Sequence, residues 1–311
     1  MWTAISLWLI VGGGALAYVA WAAAQVGGGA PVWPFVAGLP LVYFALILVN
    51  TSVFFALAWL YRAQRPTHAQ IDGRRTARMV WDEYRTLAGS APRMMLYKLL
   101  MTDPAPAPAE LPVLLVHGVL CNAGVWTRMK RHLEAEGLGP VYALSYGPPL
   151  ASIEVFVEQV AEKIDAILAA TGARRVAVVA HSMGGLVVRA YLRRYGGAQV
   201  ARVVTIGAPH AGSVHAWMFP GVSLAQIRPG NAWLNDLARP AGNAPLPPMV
   251  SLWSWHDSMV APQTSSRLAD SENIELSGVG HNALLGDPVA LARVAEQIRF
   301  ARTGATAPKE R

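Results

Sequence analysis

The chain has 311 residues, 53% hydrophobic and only 14% charged, which excludes a disordered or linker-like protein and suggests about two domains at ~150 residues each. The formal net charge is +7, yet no Asp, Glu, Lys, Arg or His occurs between Met1 and Tyr61. All 26 basic and 19 acidic residues follow from Arg62 onward, so an apolar segment is joined to a chain of ordinary polarity, which argues against a fully soluble protein.

A helix needs roughly 20 apolar residues to cross a bilayer. Ile5–Ala24 supplies one such run, and the uncharged stretch Val32–Tyr61 supplies another, its span set at about residues 38–61. Pro34 and Pro40 are expected near its entrance, and the turn QVGGGAP (Gln25–Pro31) makes residues 1–61 a transmembrane hairpin. Trp2, Trp21, Trp33 and Trp59 lie near the ends of the spans, where indole rings prefer the interface. Gly12, Gly13 and Gly14 would let the two helices approach, and Asn50, Thr51 and Ser52 would hydrogen-bond across; simple tolerance of these residues is the other reading. A cleaved signal peptide ending near Ala22-Ala23-Ala24 is the rival for the first run, but the basic n-region of such a signal is missing. Arg62, Arg65, Arg74, Arg75 and Arg78, opposed by Asp72, follow the second run. The positive-inside rule then places both termini and the polar part on the cytoplasmic side of the inner membrane.

Residues 62–110 form a basic connector with eight basic and five acidic residues, an excess that fits anionic lipid. No long basic block or groove-reading motif is present, so nucleic acid is not an expected partner. Arg74–Leu87 and Ala91–Met101 read as amphipathic helices, either interfacial or packed on the next domain. The Pro-rich PAPAPAELP (Pro104–Pro112) marks the boundary.

From residue 111 to 301, short apolar runs alternate with helical patterns. Strands are expected at Val113–Val116, Val141–Ser145, Val176–Ala180, Val203–Ile206, Met249–Trp253 and Ile274–Leu276. Helices are expected at Gly124–Glu136, after the Ser152 cap, at Met183–Tyr195 and at Pro288–Arg299. Near-continuous β-branched runs between helices indicate an α/β fold, a mostly parallel sheet covered on both faces. An insertion at about 213–248, with Trp217, Met218, Phe219, Ile227, Trp233 and Leu234 among Pro and Gly, is a cap, either a mobile lid or a packed one. Residues 302–311 are a tail.

The stretch VAVVAHSMGG (Val176–Gly185) runs from strand into helix through Ala180-His181-Ser182-Met183-Gly184, a version of the G-x-S-x-G nucleophile elbow with alanine in the first small position. Ser182 is the expected nucleophile, favoured by the helix N-terminus behind it. The elbow predicts the chain order Ser, then acid, then His. Among the later histidines His281 follows a late strand (NIELSGVGH) and is the expected base. Asp257, just past a strand end in PMVSLWSWHD, is preferred as the orienting acid over Asp236 in the insertion and Glu275 within a strand. The oxyanion donors expected are the backbone N–H groups of Met183, after the nucleophile, and Val119, after His117-Gly118. His117, His181 and His210 are read as structural, His181 with its side chain turned away. His256 and Cys121 are read as neighbours.

These pieces (LLVHGVLCN, VAHSMGGLVVRAYL, VVTIGAPHAGS, WHDSMVAPQTSS and GVGHNALL) resemble the α/β-hydrolases, and more narrowly the bacterial triacylglycerol lipases and esterases, over residues 111–301. The resemblance implies the same Ser182, Asp257 and His281, with Val119 and Met183 at the oxyanion. It also implies hydrolysis of carboxylic esters, those of lipids foremost, through an acyl-serine, with no cofactor. One cysteine excludes the disulfide some relatives carry, and Asp287 keeps a structural calcium open. An acyltransferase or thioesterase with the same triad, and a non-catalytic membrane scaffold, are the alternatives; a permease lacks an intramembrane ionisable pathway.

Overall fold

A computed structural model describes residues 2–239 and 245–304. The tail from residue 305 and the Pro/Gly-rich part of the insertion at 240–244 lie outside the described residues. Two long apolar helices open the chain: α1 (Trp2–Gly27), with a π-helical turn at Trp8–Gly12, and α2 (Trp33–Leu60). α2 starts five residues before the expected span, so Pro34 lies in its first turn and Pro40 falls inside the helix. The close approach between the helices is made at Gly38, where a Cβ would lie 2.0 Å from the Tyr18 hydroxyl. Gly12, Gly13 and Gly14 face no neighbour across the hairpin: Gly13 and Gly14 meet nothing, and Gly12 meets its own helix at Trp8. Thr51 Oγ1 donates to Ile47 O of its own helix instead of bridging.

The connector is one helix, α3 (Gly73–Met95), capped by Asp72 accepting from Arg75 N, followed by a single turn at Tyr97–Leu100. Its buried residues Met79, Glu83 and Ser90 share one face, while Trp81 points outward. Of the two readings of this segment, packing on the α/β domain is the one observed for that face.

Six strands follow: β1 (Val113–Val116), β2 (Val141–Leu144), β3 (Val176–His181), β4 (Val200–Ile206), β5 (Met249–Ser254) and β6 (Glu272–Leu276). They form one all-parallel sheet in the order β2-β1-β3-β4-β5-β6. Side chains alternate between faces with period two. Leu114 and Val116 of β1 with Val178 and Ala180 of β3 meet α5 (Ile153–Thr171) and α6 (Met183–Tyr195). Val113, Leu115, Ala177 and Val179 meet α4 (Thr127–Ala135) and α9 (Pro288–Thr303). Two buried layers explain why β1 and β3 read as unbroken apolar runs. The insertion contributes two short helices, α7 (Val222–Ile227) and α8 (Ala232–Leu237), seated on the α5/α6 layer through Leu224, Ile227, Leu234 and Leu237.

Candidate active site

All three residues singled out for chemistry lie at the carboxyl ends of the strands, where open parallel sheets place their ligands. Ser182 occupies the junction between β3 and α6 at φ 55°, ψ −129°, a backbone region costly for any side chain. Its N–H donates to Ile206 O at 2.9 Å, which ties the turn to β4. The turn is possible because its neighbours are small. A Cβ on Gly184 would lie 2.5 Å from the carbonyl oxygens of both Val116 and His117, and one on Gly185 would lie 2.5 Å from the Ala208 methyl. Ala180 is fully buried at the position where the motif has its first glycine.

Asp257 follows β5 and is 1% exposed. Its Oδ1 accepts from the N–H groups of Met259 (2.8 Å) and Val260 (2.7 Å), and its Oδ2 accepts from His281 Nδ1 at 2.8 Å. That hydrogen bond assigns the proton to Nδ1 and leaves Nε2 as the basic nitrogen. Burial alone would lower the His281 pKa. The Asp257 carboxylate, through charge and hydrogen bond, and the Glu83 carboxylate through charge outweigh it and hold the ring above its ordinary value. Gly207, at φ 53°, leaves room for the pair, since a Cβ there would lie 3.0 Å from Asp257 Oδ2.

Ser182, His281, Val119 and Met183 line one cavity of about 300 Å³. Ser182 and His281 share its wall without a hydrogen bond between them, a looseness common in unliganded sites. Met183 opens α6, so its N–H has no acceptor within the helix. Val119 follows Gly118, whose missing side chain admits Ser182: a Cβ there would lie 2.8 Å from Ser182 Cβ and 3.3 Å from its Oγ. The structure therefore brings Ser182, His281, Val119 and Met183 to one cavity, with Asp257 directly behind His281.

His117, His210 and His256 are fixed by local bonds. Tyr146 N donates to His117 Nε2 at 3.3 Å, and the two rings stack at 4.0 Å. His210 bonds Thr205 and Arg189, and His256 Nδ1 accepts from Gly278 N. Burial pushes His117 and His256 down to about 4, the Arg65 and Arg75 charges adding to it at His256. The Cys121 thiol is pushed up to about 12 by burial, which keeps it protonated. Asp236 pairs with Arg193, and Glu275 accepts from Trp255 Nε1, so neither acid is near His281 through those bonds. Asp287 caps α9 by accepting from Val289 N and Ala290 N.

Three features depart from the sequence reading. His181 does not turn away: its ring lies 4.5 Å from that of His281, and its Nε2 is 3.2 Å from His281 O. Glu83 of α3, unremarked in the sequence, is 1% exposed and reaches the residues flanking His281. Its signal was slight, an acid recurring with Met79 and Ser90 on the buried side of an amphipathic helix. Finally, Asn50, Thr51 and Phe54 of α2 form part of the cavity wall. Phe54 stacks on His215 with centroids 5.4 Å apart, and His215 Nε2 is 3.2 Å from Phe54 O.

Comparison with known proteins is consistent with this architecture. The family model for palmitoyl protein thioesterases matches residues 112–238. Aspergillus fumigatus lipase B superposes with a TM-score of 0.61 at 18% identity, covering 83% of this chain and 81% of that one. The mature form of the Bacillus licheniformis lipase BlEst2 gives 0.56 at 18% identity, over 63% of this chain and 96% of that one. The chain carries an α/β-hydrolase domain. At this level of identity the structural likeness is one of fold. Triacylglycerol lipases from Pseudarthrobacter phenanthrenivorans and Burkholderia plantarii are each 33% identical over 123 residues, 35% of this chain. Those residues are 36% and 32% of the two lipases, so the chain spans about a third of the curated relatives it matches. The hydrolase domain is thus lipase/esterase-like, with two long apolar helices before it.

Proposed function

We propose that this chain is a serine hydrolase of carboxylic esters, those of lipids foremost, held to the cytoplasmic face of the inner membrane by its N-terminal hairpin. In this reading His281 Nε2 takes the Ser182 hydroxyl proton as Oγ attacks the acyl carbonyl. The N–H groups of Val119 and Met183 stabilise the oxyanion. His281 then returns the proton to the leaving alcohol, and water, activated by the same nitrogen, releases the acid from the acyl-serine. Asp257 keeps the imidazole in the required tautomer throughout.

The observation that carries the reading is the shared cavity, with Ser182 and His281 on one side and Phe54 of an apolar helix on another. α2 has 28 residues and is about 42 Å long, more than a hydrocarbon core of ~30 Å requires. Its buried residues Thr51, Phe54 and Ala58 fall in its last turns, on one face. That placement supports a cavity at interface depth, as do Trp217, Phe219 and Val222, exposed on the cap beside it. Thr3 Oγ1 of α1 donates to Cys121 O, so both outer ends of the hairpin rest on the hydrolase domain, as expected if they share one side of the membrane. The basic flank Arg62–Arg78 supports the cytoplasmic side.

Labelling the detergent-solubilised chain with a fluorophosphonate tests the chemistry. Modification is expected at Ser182, and a folded protein that stays unlabelled in mixed lipid micelles would favour the scaffold reading. The match to palmitoyl protein thioesterases favours thioester cleavage as a second reading, separated by comparing an oxygen ester and a thioester of one acyl chain. Phe54→Ala is expected to change the ratio of long-chain to short-chain ester turnover about tenfold or more, read from a chain-length series. An unchanged ratio would remove Phe54 from the acyl site.

A further inference from the structure

Glu83 is a buried carboxylate without an ion pair among the described residues, placed on the helix that connects the hairpin to the hydrolase domain. Burying such a group is costly unless hydrogen bonds replace its hydration. Four donors do so here. Oε1 accepts from Ser258 Oγ at 2.8 Å, from Asn282 N at 3.0 Å and from Asn282 Nδ2 at 2.9 Å, and Oε2 accepts from Ala283 N at 2.8 Å. Two of the four donors are backbone groups immediately after His281. Ser258, the residue after Asp257, also accepts from His281 N at 3.3 Å. The glycine before the histidine completes the fit, because a Cβ on Gly280 would lie 2.6 Å from Glu83 Oε2.

We propose that Glu83 is a positioning residue for His281: docked from the connector helix, its carboxylate holds the segments that carry His281 and Asp257 in working register. The role rests on the reading of His281 as general base. Both oxygens are used only as acceptors, so a carboxylate fits where a carboxamide would turn an N–H₂ toward a donor. The charge has a second effect. The groups facing His281 are Asp257 from the loop after β5, Glu83 from α3, His181 from the end of β3 and His215 from the cap. Burial, reinforced by the neighbouring imidazole, keeps His181 neutral, which leaves the two carboxylates as the groups that favour imidazolium. General-base activity requires neutral His281, so the acidic limb of the kcat/KM profile reports that ring in the free enzyme. The raised pKa places that limb above the ordinary histidine value of 6.5. Removing the Glu83 charge lowers the ring's pKa and moves the limb to lower pH.

The experiment uses the full-length chain in detergent with a soluble short-chain ester. Glu83→Gln is expected to lower kcat/KM about 10- to 100-fold and to shift the acidic limb downward. Glu83→Asp, shorter but still charged, is expected to lose rate with the limb in place. A purely structural role would lower stability and rate without moving the limb. If Glu83→Gln does not fold, Ser258→Ala removes one donor and the acceptor for His281 N, and a several-fold loss in rate at unchanged pH dependence is expected. Wild-type rate and pH profile in Glu83→Gln, or wild-type rate in Ser258→Ala, would overturn the proposal. Failure of the wild-type chain to label at Ser182 would instead overturn the reading on which it rests.

Discussion

Asp257→Asn is expected to reduce kcat by about 10⁴-fold while leaving the fold intact. The argument is about one proton. Asp257 Oδ2 accepts from His281 Nδ1 at 2.8 Å, and both side chains are at most 2% exposed, so water does not compete for that bond. Asparagine preserves the volume, and its carbonyl oxygen can still accept from Met259 N and Val260 N, as Oδ1 does now. The Nδ2 group then faces the imidazole as a donor and selects the tautomer with the proton on Nε2, where the base must be free. Far-UV circular dichroism and the melting profile should stay close to wild type while turnover of a short-chain ester collapses. Near-wild-type turnover would show that another acid orients His281 and would return Asp257 to a loop-bracing role.

The same dyad shows what was legible in the sequence. Ser182, Asp257 and His281 stand out as candidates in the sequence because each follows an apolar run that can be read as a strand, and the ends of parallel strands converge on one edge of the sheet. β1 and β3 were readable as unbroken runs because both faces are covered. β6, with ENIEL only partly buried at the sheet edge, begins two residues before the run the sequence suggests, because its Glu272 and Asn273 look like loop. Glu83 was not legible, since its burial is set by Asn282 and Ala283, 199 and 200 positions away, and nothing near it in the chain announces them. The docked face of α2 was hidden for the opposite reason. A helix that is apolar all round has no stripe to mark the side bearing Thr51, Phe54 and Ala58. The sequence does not place His181 beside His281, because alternation along β3 gives a side of the sheet but not the later turn that folds His281 back over it.

Gly118→Ala is expected to be a lesion of chemistry more than of stability. The added methyl would meet Ser182 Cβ at 2.8 Å, Ser182 Oγ at 3.3 Å and His181 O at 3.3 Å. Something must shift, and the choices differ in cost. β3 is held between β1 and β4 and cannot give, whereas the loop carrying Val119 and the exposed Leu120 lies at the rim and can. The loop therefore moves away from Ser182 and carries the Val119 N–H out of reach of the oxyanion. Loss of one such donor lowers kcat about 10²–10³-fold, while the accompanying overpacking costs about 1–3 kcal/mol. Fluorophosphonate labelling of Ser182 should slow in parallel with turnover, because the reagent's phosphoryl oxygen uses the same donors. Gly184→Ala is the contrast. Its methyl would sit 2.5 Å from the carbonyl oxygens of Val116 and His117, backbone of a central strand and its exit, so folded protein itself should be lost. Equal melting temperatures and equal labelling rates in Gly118→Ala and wild type would show that the Val119 amide does not serve the oxyanion.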